Sequence, residues 1–471
     1  MTTRRQVCPA VSAVRVLHVS TTIVASERRS YRLGRAPGGV PLLGNALQLF
    51  RTPLDYLPGL RHEGDLVRLK IGTSTAYMAC THDVVQEVLH NPRTFDKGGE
   101  FIDTMKLLLG DGVGTCPAAK HRRQRRFIQP AFQRDRLDHY CRLMHDEVTA
   151  LAGSWRPGAV IDAGTEMSRL TTRVTARMMF SADIAADAVT AVQRNFPVVW
   201  KGVYRRMVIP LPLLHALPTP ANIRFTRALR RLDDVIIRML DTYRRDTADR
   251  DDLLTVLLTA RDERGIGLTD TEIHDELMTV LAAGVETPAS GLTWAFHLLA
   301  ENPDVERKLL AEVDAVLGGR PASAADLSAL PYTQRVVAEA LRLYPPVWFI
   351  TRRAVTDTRL AGHPVPAGSS IVFSPYALHR DPDVFRDPER FDPDRWLPEN
   401  ACELPRNATI TFGGGSRKCL GDVLANQEVT LALASITAAW RLRPLPGHRI
   451  RPVAKAELTT GPLPMTTEAR S

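Results

Sequence analysis

Apolar residues recur every three to four positions along most of this 471-residue chain, the period of a helix with one buried face. The spacing predicts helices over Asp83–His90, Leu137–Trp155, Thr165–Phe180, Ala186–Trp200, Ala221–Arg244 and Asp422–Trp440. The longest periodic run is Asp270–Ala300, and Thr269 precedes Glu272 by three residues, the spacing of a capping box. Strand signals are short. Gly64–Lys70 alternates apolar and polar residues, and Ser74–Ala79 follows closely enough to pair with it as a hairpin. Tyr344-Pro345-Pro346 stops a helix, after which Val347–Ile350 and then Ser370–Ser374 read as strands. Lys455–Thr466 gives weaker strand signals around a turn at Gly461-Pro462, and Pro37–Gly44 is rich in turn residues. Asp96–Thr115 reads as an irregular loop that exposes Phe101, Met105, Leu107 and Leu108. Val203–Pro212 reads as non-helical, because four prolines lie between Pro210 and Pro220. The expected class is a mainly α fold with small β-sheets, an α+β arrangement in which helix dominates.

Composition narrows the function classes. Hydrophobic residues make up 44% and charged residues 24%, enough apolar surface for a large core. No Gly/Ser linker or repeat interrupts the pattern, so residues 37–471 read as one domain. Residues 1–36 are arginine-rich and read as a disordered extension. Their apolar part is broken by Arg15 and His18, which argues against a membrane span or a secretory signal. Six cysteines (Cys8, Cys80, Cys116, Cys141, Cys402 and Cys419) are scattered without C-x-x-C pairs, as expected of a cytoplasmic protein without a disulfide framework. The net charge of +9 comes mostly from arginines on amphipathic helices, a pattern of solvated surface with no nucleic-acid module in it. The alternative for that basic surface is a docking face for an acidic electron-transfer protein.

One decapeptide carries the chemistry. Phe412-Gly413-Gly414-Gly415-Ser416-Arg417-Lys418-Cys419-Leu420-Gly421 places a cysteine on a glycine-rich bend just before a helix N-terminus. The helix dipole, Arg417 and Lys418 are all expected to lower the thiol pKa, so Cys419 reads as a metal ligand or a nucleophile. Within the longest helix, Ala283-Gly284-Val285-Glu286-Thr287-Pro288 sets Gly and Pro together, a pair that costs a plain helix about 1 and 3 kcal/mol relative to Ala. Pro288 is expected to kink the helix and open a groove at Gly284 beside an acid and a hydroxyl. His121 and Arg125 lie four residues apart and share a helix face, as do Glu339 and Arg342 at three.

Phe-x-x-Gly-x-Arg-x-Cys-x-Gly resembles the haem-ligand loop of the cytochrome P450 family, in which a cysteine thiolate ligates haem. The resemblance covers nearly everything from Pro37 onward. It implies a triangular-prism fold with a long central helix over haem b, Cys419 as axial ligand and Phe412 shielding the sulfur. Gly415 and Gly421 would let the backbone approach the ring and the sulfur. Arg417, His121, Arg125 and Arg352 would bind the haem propionates, with Arg353 the neighbour most easily mistaken for Arg352. Glu286 and Thr287 would be the catalytic acid–alcohol pair that delivers protons. Phe101, Leu108, Leu281, Ala283, Gly284, Val347 and Trp348 would line the substrate pocket, and the proline-rich segment would be its lid. Glu339, Arg342 and Arg395 would form a structural triad behind the haem.

The implied activity is monooxygenation, with dioxygen and two externally supplied electrons hydroxylating an unactivated C–H bond of an apolar substrate. Electrons would come from a ferredoxin and an NAD(P)H-dependent ferredoxin reductase, docking near Arg122, Arg126 and Lys418 of a monomer. Asp96-Lys97-Gly98, His121–Phe132, Tyr204-Arg205-Arg206-Met207 and Trp348–Ala354 are similar to actinobacterial sesquiterpene oxidases, which implies a tricyclic sesquiterpene oxidised once or in succession. Fatty-acid or polyketide hydroxylation and a peroxide-driven reaction are the alternatives; the last usually lacks the acid–alcohol pair.

Overall fold

The computed structural model of the chain describes residues 30–470 apart from 73, 181, 209–211 and 246–249. The helix Asp270–Glu301 runs continuously through its centre for 32 residues and begins with the expected capping box, Thr269 against Glu272. From Pro288 to Phe296 it is buried all round, the signature of a helix inside a large core. The helices Ala163–Met179, Pro331–Leu343 and Asp422–Ala439 pack against it. One apolar cluster surrounds its C-terminal half, from Leu292 to Leu299. A second surrounds Leu277–Val285 and includes residues of Ala182–Val208, Pro220–Arg245 and Leu253–Thr259.

A six-stranded sheet flanks this helical body in the order Leu33–Arg35, Leu66–Ile71, Ser74–Ala79, Ser370–Phe373, Ile350–Ala354, Phe95–Asp96. Its two faces separate by the period of two. Leu66, Tyr77, Ala79, Ile371 and Phe373 enter one cluster. Val67, Leu69, Ala76, Met78 and Val372 pack in the other. A smaller sheet joins Val160–Asp162 and Trp440–Pro444 to either side of Pro464–Ala469. Among the described residues, no helix is long and apolar enough to cross a membrane.

Four expectations change. Glu100–Leu109 is a helix rather than a loop, bounded by Gly99 and Gly110, both at positive φ. Ile102, Met105, Leu108 and Leu109 are buried at helical spacing, and only Leu107 of the expected exposed set stands out in solvent. Residues 203–208 extend the preceding helix up to Val208, since the prolines begin only at Pro210. The strand expected at Val347–Ile350 begins at Ile350, where pairing with Phe373 starts. The expected N-terminal extension lies mostly outside the described residues, but its end does not: Leu33–Arg35 pairs in parallel with Leu66–Arg68.

Candidate functional site

The cysteine segment folds back on itself. Gly413 N–H donates to Ile410 O (2.9 Å) and Cys419 N–H to Phe412 O (2.9 Å), closing a loop just before the helix Asp422–Ala439. Gly415 sits at φ +61°, and a Cβ there would lie 2.2 Å from Leu89 O. Its missing side chain therefore admits the helix His82–His90. Cys419 is exposed to a cavity of about 420 Å³. The thiol pKa is raised by burial, against the expected lowering, although the Gly421 N–H partly offsets this. Lys418 is paired with Asp422 (2.5 Å), whose carboxylate also disfavours the thiolate, while Arg125 and Lys97 favour it.

Cations gather around the same cavity. Lys97, His121, Arg125, Arg352 and Arg417 all line it. Arg352 is 4% exposed and donates to its neighbour's carbonyl, Thr351 O (2.8 Å). Strand alternation turns Arg353 outward to Asp103 (2.6 Å), so Arg352 is the arginine at the site. Arg417 is held by Asp96 (2.7 Å) and Cys116 O (3.0 Å); Arg125 donates to Lys418 O (2.7 Å). Burial, then the arginines, lower Lys97 to about 7, and burial with Arg417 and Arg125 lowers His121 to about 4. Burial, then Arg417, lowers Arg352 to about 10. Asp96 is the carboxylate that pairs with this group, and it also accepts the Ala118 N–H at the start of the basic helix Ala118–Ile128.

The opposite wall is the long helix, which presents Val280, Ala283, Gly284 and Thr287 to the cavity as one stripe. Thr287 Oγ1 donates to Ala283 O (2.6 Å). Pro288 does not interrupt the helix, and a Cβ on Gly284 would meet Thr175 Oγ1 at 2.7 Å. Gly284 thus serves close helix packing as well as the cavity wall. Glu286 lies around the helix from that stripe, and burial raises its pKa. Phe101, Ile102, Met105, Leu109, Val347 and Phe349 complete an apolar wall. Three expected lining residues do not reach it. Leu108 and Leu281 turn into the helical cluster. Trp348 alternates with Val347 and Phe349 in an extended segment and points away, donating to Lys455 O (2.8 Å).

The triad forms as expected and gains partners. Arg342 and Glu339, both fully buried, make a double-pronged pair with two 2.8 Å bonds. Arg395 (3.2 Å) and Trp396 Nε1 (2.9 Å) also donate to Glu339. His379, missed in the sequence, links this centre to the cysteine loop: its Nδ1 bonds Arg342 O (3.1 Å) and its Nε2 accepts from Ile410 N–H (2.9 Å). Burial, Arg342 and Arg380 lower its pKa to about 3, so it is a neutral bridge. Glu428 and Glu457 are further cavity residues that the motifs did not mark. Only their charge within apolar surroundings signalled them, as with Glu428 just ahead of the buried run Val429–Ala438.

A single thiol and six basic side chains, Lys97, His121, Arg125, Arg352, Arg417 and Lys418, share the cavity with an apolar wall. Among the described residues no cluster of three or more His, Cys, Asp or Glu side chains could hold a bare metal ion. A metal here would need its other ligands from a macrocycle, and the cations would need anions such as its carboxylates. The residues therefore fit a haem.

A family model described as cytochrome P450 matches residues 35–468. Cyclooctatin synthase from Streptomyces melanosporofaciens is 49% identical over 94% of this chain and 97% of its own. Pentalenene oxygenase from Streptomyces avermitilis is 45% identical over 91% and 96%. Cyclooctat-9-en-7-ol 5-monooxygenase from Streptomyces melanosporofaciens is 46% identical over 95% and 97%. The crystal structure of the cytochrome P450DA heme domain shares the fold with a TM-score of 0.85 at 24% identity, covering 94% of this chain and 99% of that one. The chain belongs to the cytochrome P450 family of monooxygenases, whose cofactor is haem b bound through a cysteine thiolate.

Proposed function

We propose that the enzyme hydroxylates an unactivated C–H bond of a polycyclic terpene, with Cys419 as the haem ligand. The observation that carries this is the opening of Cys419 into one cavity that has cations around it and an apolar wall of Phe101, Met105, Val280, Val347 and Phe349. When bound, the haem supplies dioxygen activation and C–H oxidation. Lys97, His121, Arg125, Arg352 and Arg417 would hold its propionates, each anion offsetting the burial and the charge crowding that lower Lys97 and His121. Thr287 presents its hydroxyl at the cavity surface, and Glu286 supplies the exchangeable proton behind it. The apolar wall orients a hydrocarbon skeleton and excludes water.

Terpene chemistry is favoured by three relatives at 45–49% identity whose names refer to pentalenene, cyclooctatin and cyclooctat-9-en-7-ol. Electrons reach the enzyme from a ferredoxin and its reductase. The outer side of the cation wall supports this reading, since Arg93, Arg122, Arg125 and Arg126 line a surface cleft there.

The test is the carbon monoxide spectrum of the reduced protein, followed by titration of the ferric form. A strongly red-shifted Soret band that disappears in Cys419→Ala, with a high-spin shift on adding pentalenene or cyclooctat-9-en-7-ol, is the expected result. A normal Soret band in the wild type would defeat the ligand assignment. A response to fatty acids alone would defeat the terpene assignment.

A further inference from the structure

Glu457 lines the cavity just before the short strand Leu458–Thr459, and neither haem binding nor the Glu286–Thr287 pair accounts for it. It is 4% exposed, and its Oε2 atom is buried with no hydrogen-bond partner. The backbone around it is fixed from several sides. Leu458 N–H donates to Pro346 O (2.9 Å), and Lys455 N–H donates to Glu457 O (3.0 Å). Ser290 Oγ and Trp294 Nε1 both donate to Leu458 O, at 2.7 and 3.1 Å. Ser290 stands one helical turn after Glu286 on the same face, so these bonds seat Glu457 against the Glu286 side of the long helix.

Among the described residues no cation pairs with this carboxyl. Lys455 is exposed, and the charged group that acts on Glu457 from the packed helix is another acid, Glu286. Burial first, and then Glu286, raise the Glu457 pKa well above the ordinary carboxylate range. Its protonated form, which burial favours, can donate one hydrogen bond and accept another. Around it the cavity wall is Pro346, Val347, Phe349 and Ala456. A buried polar group without a partner destabilises a fold, and a Val or Leu would fill the position without that cost. A carboxyl kept at this apolar cavity wall points to a polar group that arrives with the substrate.

We propose that Glu457 binds a hydroxyl on the substrate, so that the enzyme prefers an already oxygenated polycyclic terpene to the parent hydrocarbon. This rests on the terpene reading and adds a chemical class to it. The spin-state change of the ferric holoenzyme measures binding directly, using two matched pairs: pentalenene with its primary alcohol, and cyclooctat-9-en-7-ol with the hydrocarbon lacking that hydroxyl. The alcohol of at least one pair should bind about tenfold more tightly than its hydrocarbon, the worth of one well-formed hydrogen bond. Glu457→Gln keeps a donor and an acceptor and should retain most of that preference. Glu457→Leu should lose it while holding or improving hydrocarbon affinity, with an unchanged carbon monoxide spectrum. Glu457→Val, suited to the adjacent strand, serves if Leu crowds the cavity. A wild type without preference, or deletion variants that weaken both members equally, would overturn the proposal and leave the terpene reading in place. No response to any of the four compounds would overturn both.

Discussion

Single residues at the site are constrained by what sits beside them. Gly415 shows this most sharply: its φ of +61° disfavours any side chain, and a Cβ would overlap the Leu89 carbonyl. Gly415→Ala must therefore shift the cysteine loop or the helix His82–His90. We expect the variant to lose at least half of its haem on purification and to be less stable by about 2 kcal/mol or more, the scale of overpacking against rigid backbone. Full haem occupancy with an unchanged melting temperature would contradict this. The glycine was legible in the sequence, but its reason was not. A motif records that a position tolerates no side chain, whereas the partner that forbids one comes from a helix more than 300 residues earlier in the chain.

At the scale of elements, the packing of Pro220–Arg245 on the long helix includes a titratable contact. His274 reaches Asp233 (3.2 Å) and its neighbour Asp275 (3.4 Å), and these hydrogen bonds raise its pKa to about 9. A histidine with a raised folded-state pKa stabilises the fold fully below its unfolded pKa of about 6.5 and loses that contribution as pH rises through 9. His274→Gln should cost about 1–2 kcal/mol at pH 6, after allowance for solvent screening, and nearly nothing at pH 10. Denaturant unfolding of both proteins at the two pH values measures this, and an equal cost at both would refute it. The periodicity that places both helices is plain in the sequence. Which carboxylates face His274 depends on how the two helices are rotated against each other, and period alone leaves that open.

Across the whole molecule, the basic side chains of the cavity share a wall with the outer cleft: His121, Arg125 and Arg417 line both sides. Of the expected docking residues, Arg126 is paired with Glu263 (2.6 Å) and Lys418 with Asp422. Arg93 and Arg122 are exposed around the same cleft and are the stronger candidates for an acidic partner. Replacing both by Glu should slow reduction by ferredoxin about tenfold or more at low ionic strength, with the difference shrinking in high salt. The carbon monoxide spectrum should stay unchanged. Stopped-flow reduction decides the matter, and equal rates at low salt would rule these arginines out.

The sequence by itself determined the helix-dominated class, the long capped helix, the glycine-rich cysteine loop and the Glu339–Arg342–Arg395 centre. Each rests on residues close together in the chain, or on a motif whose chemistry admits few readings. Tertiary structure alone supplied the reason that Arg352 rather than Arg353 faces the cavity, because sheet register sets which side of a strand is inside. It decided that Leu108, Leu281 and Trp348 turn away, because helix rotation and strand alternation act against neighbours that are distant in sequence. It also raised the Cys419 thiol where the local charges of Arg417 and Lys418 suggested the opposite. Burial is a property of the whole fold, and those two cations found their own carboxylates in Asp96 and Asp422.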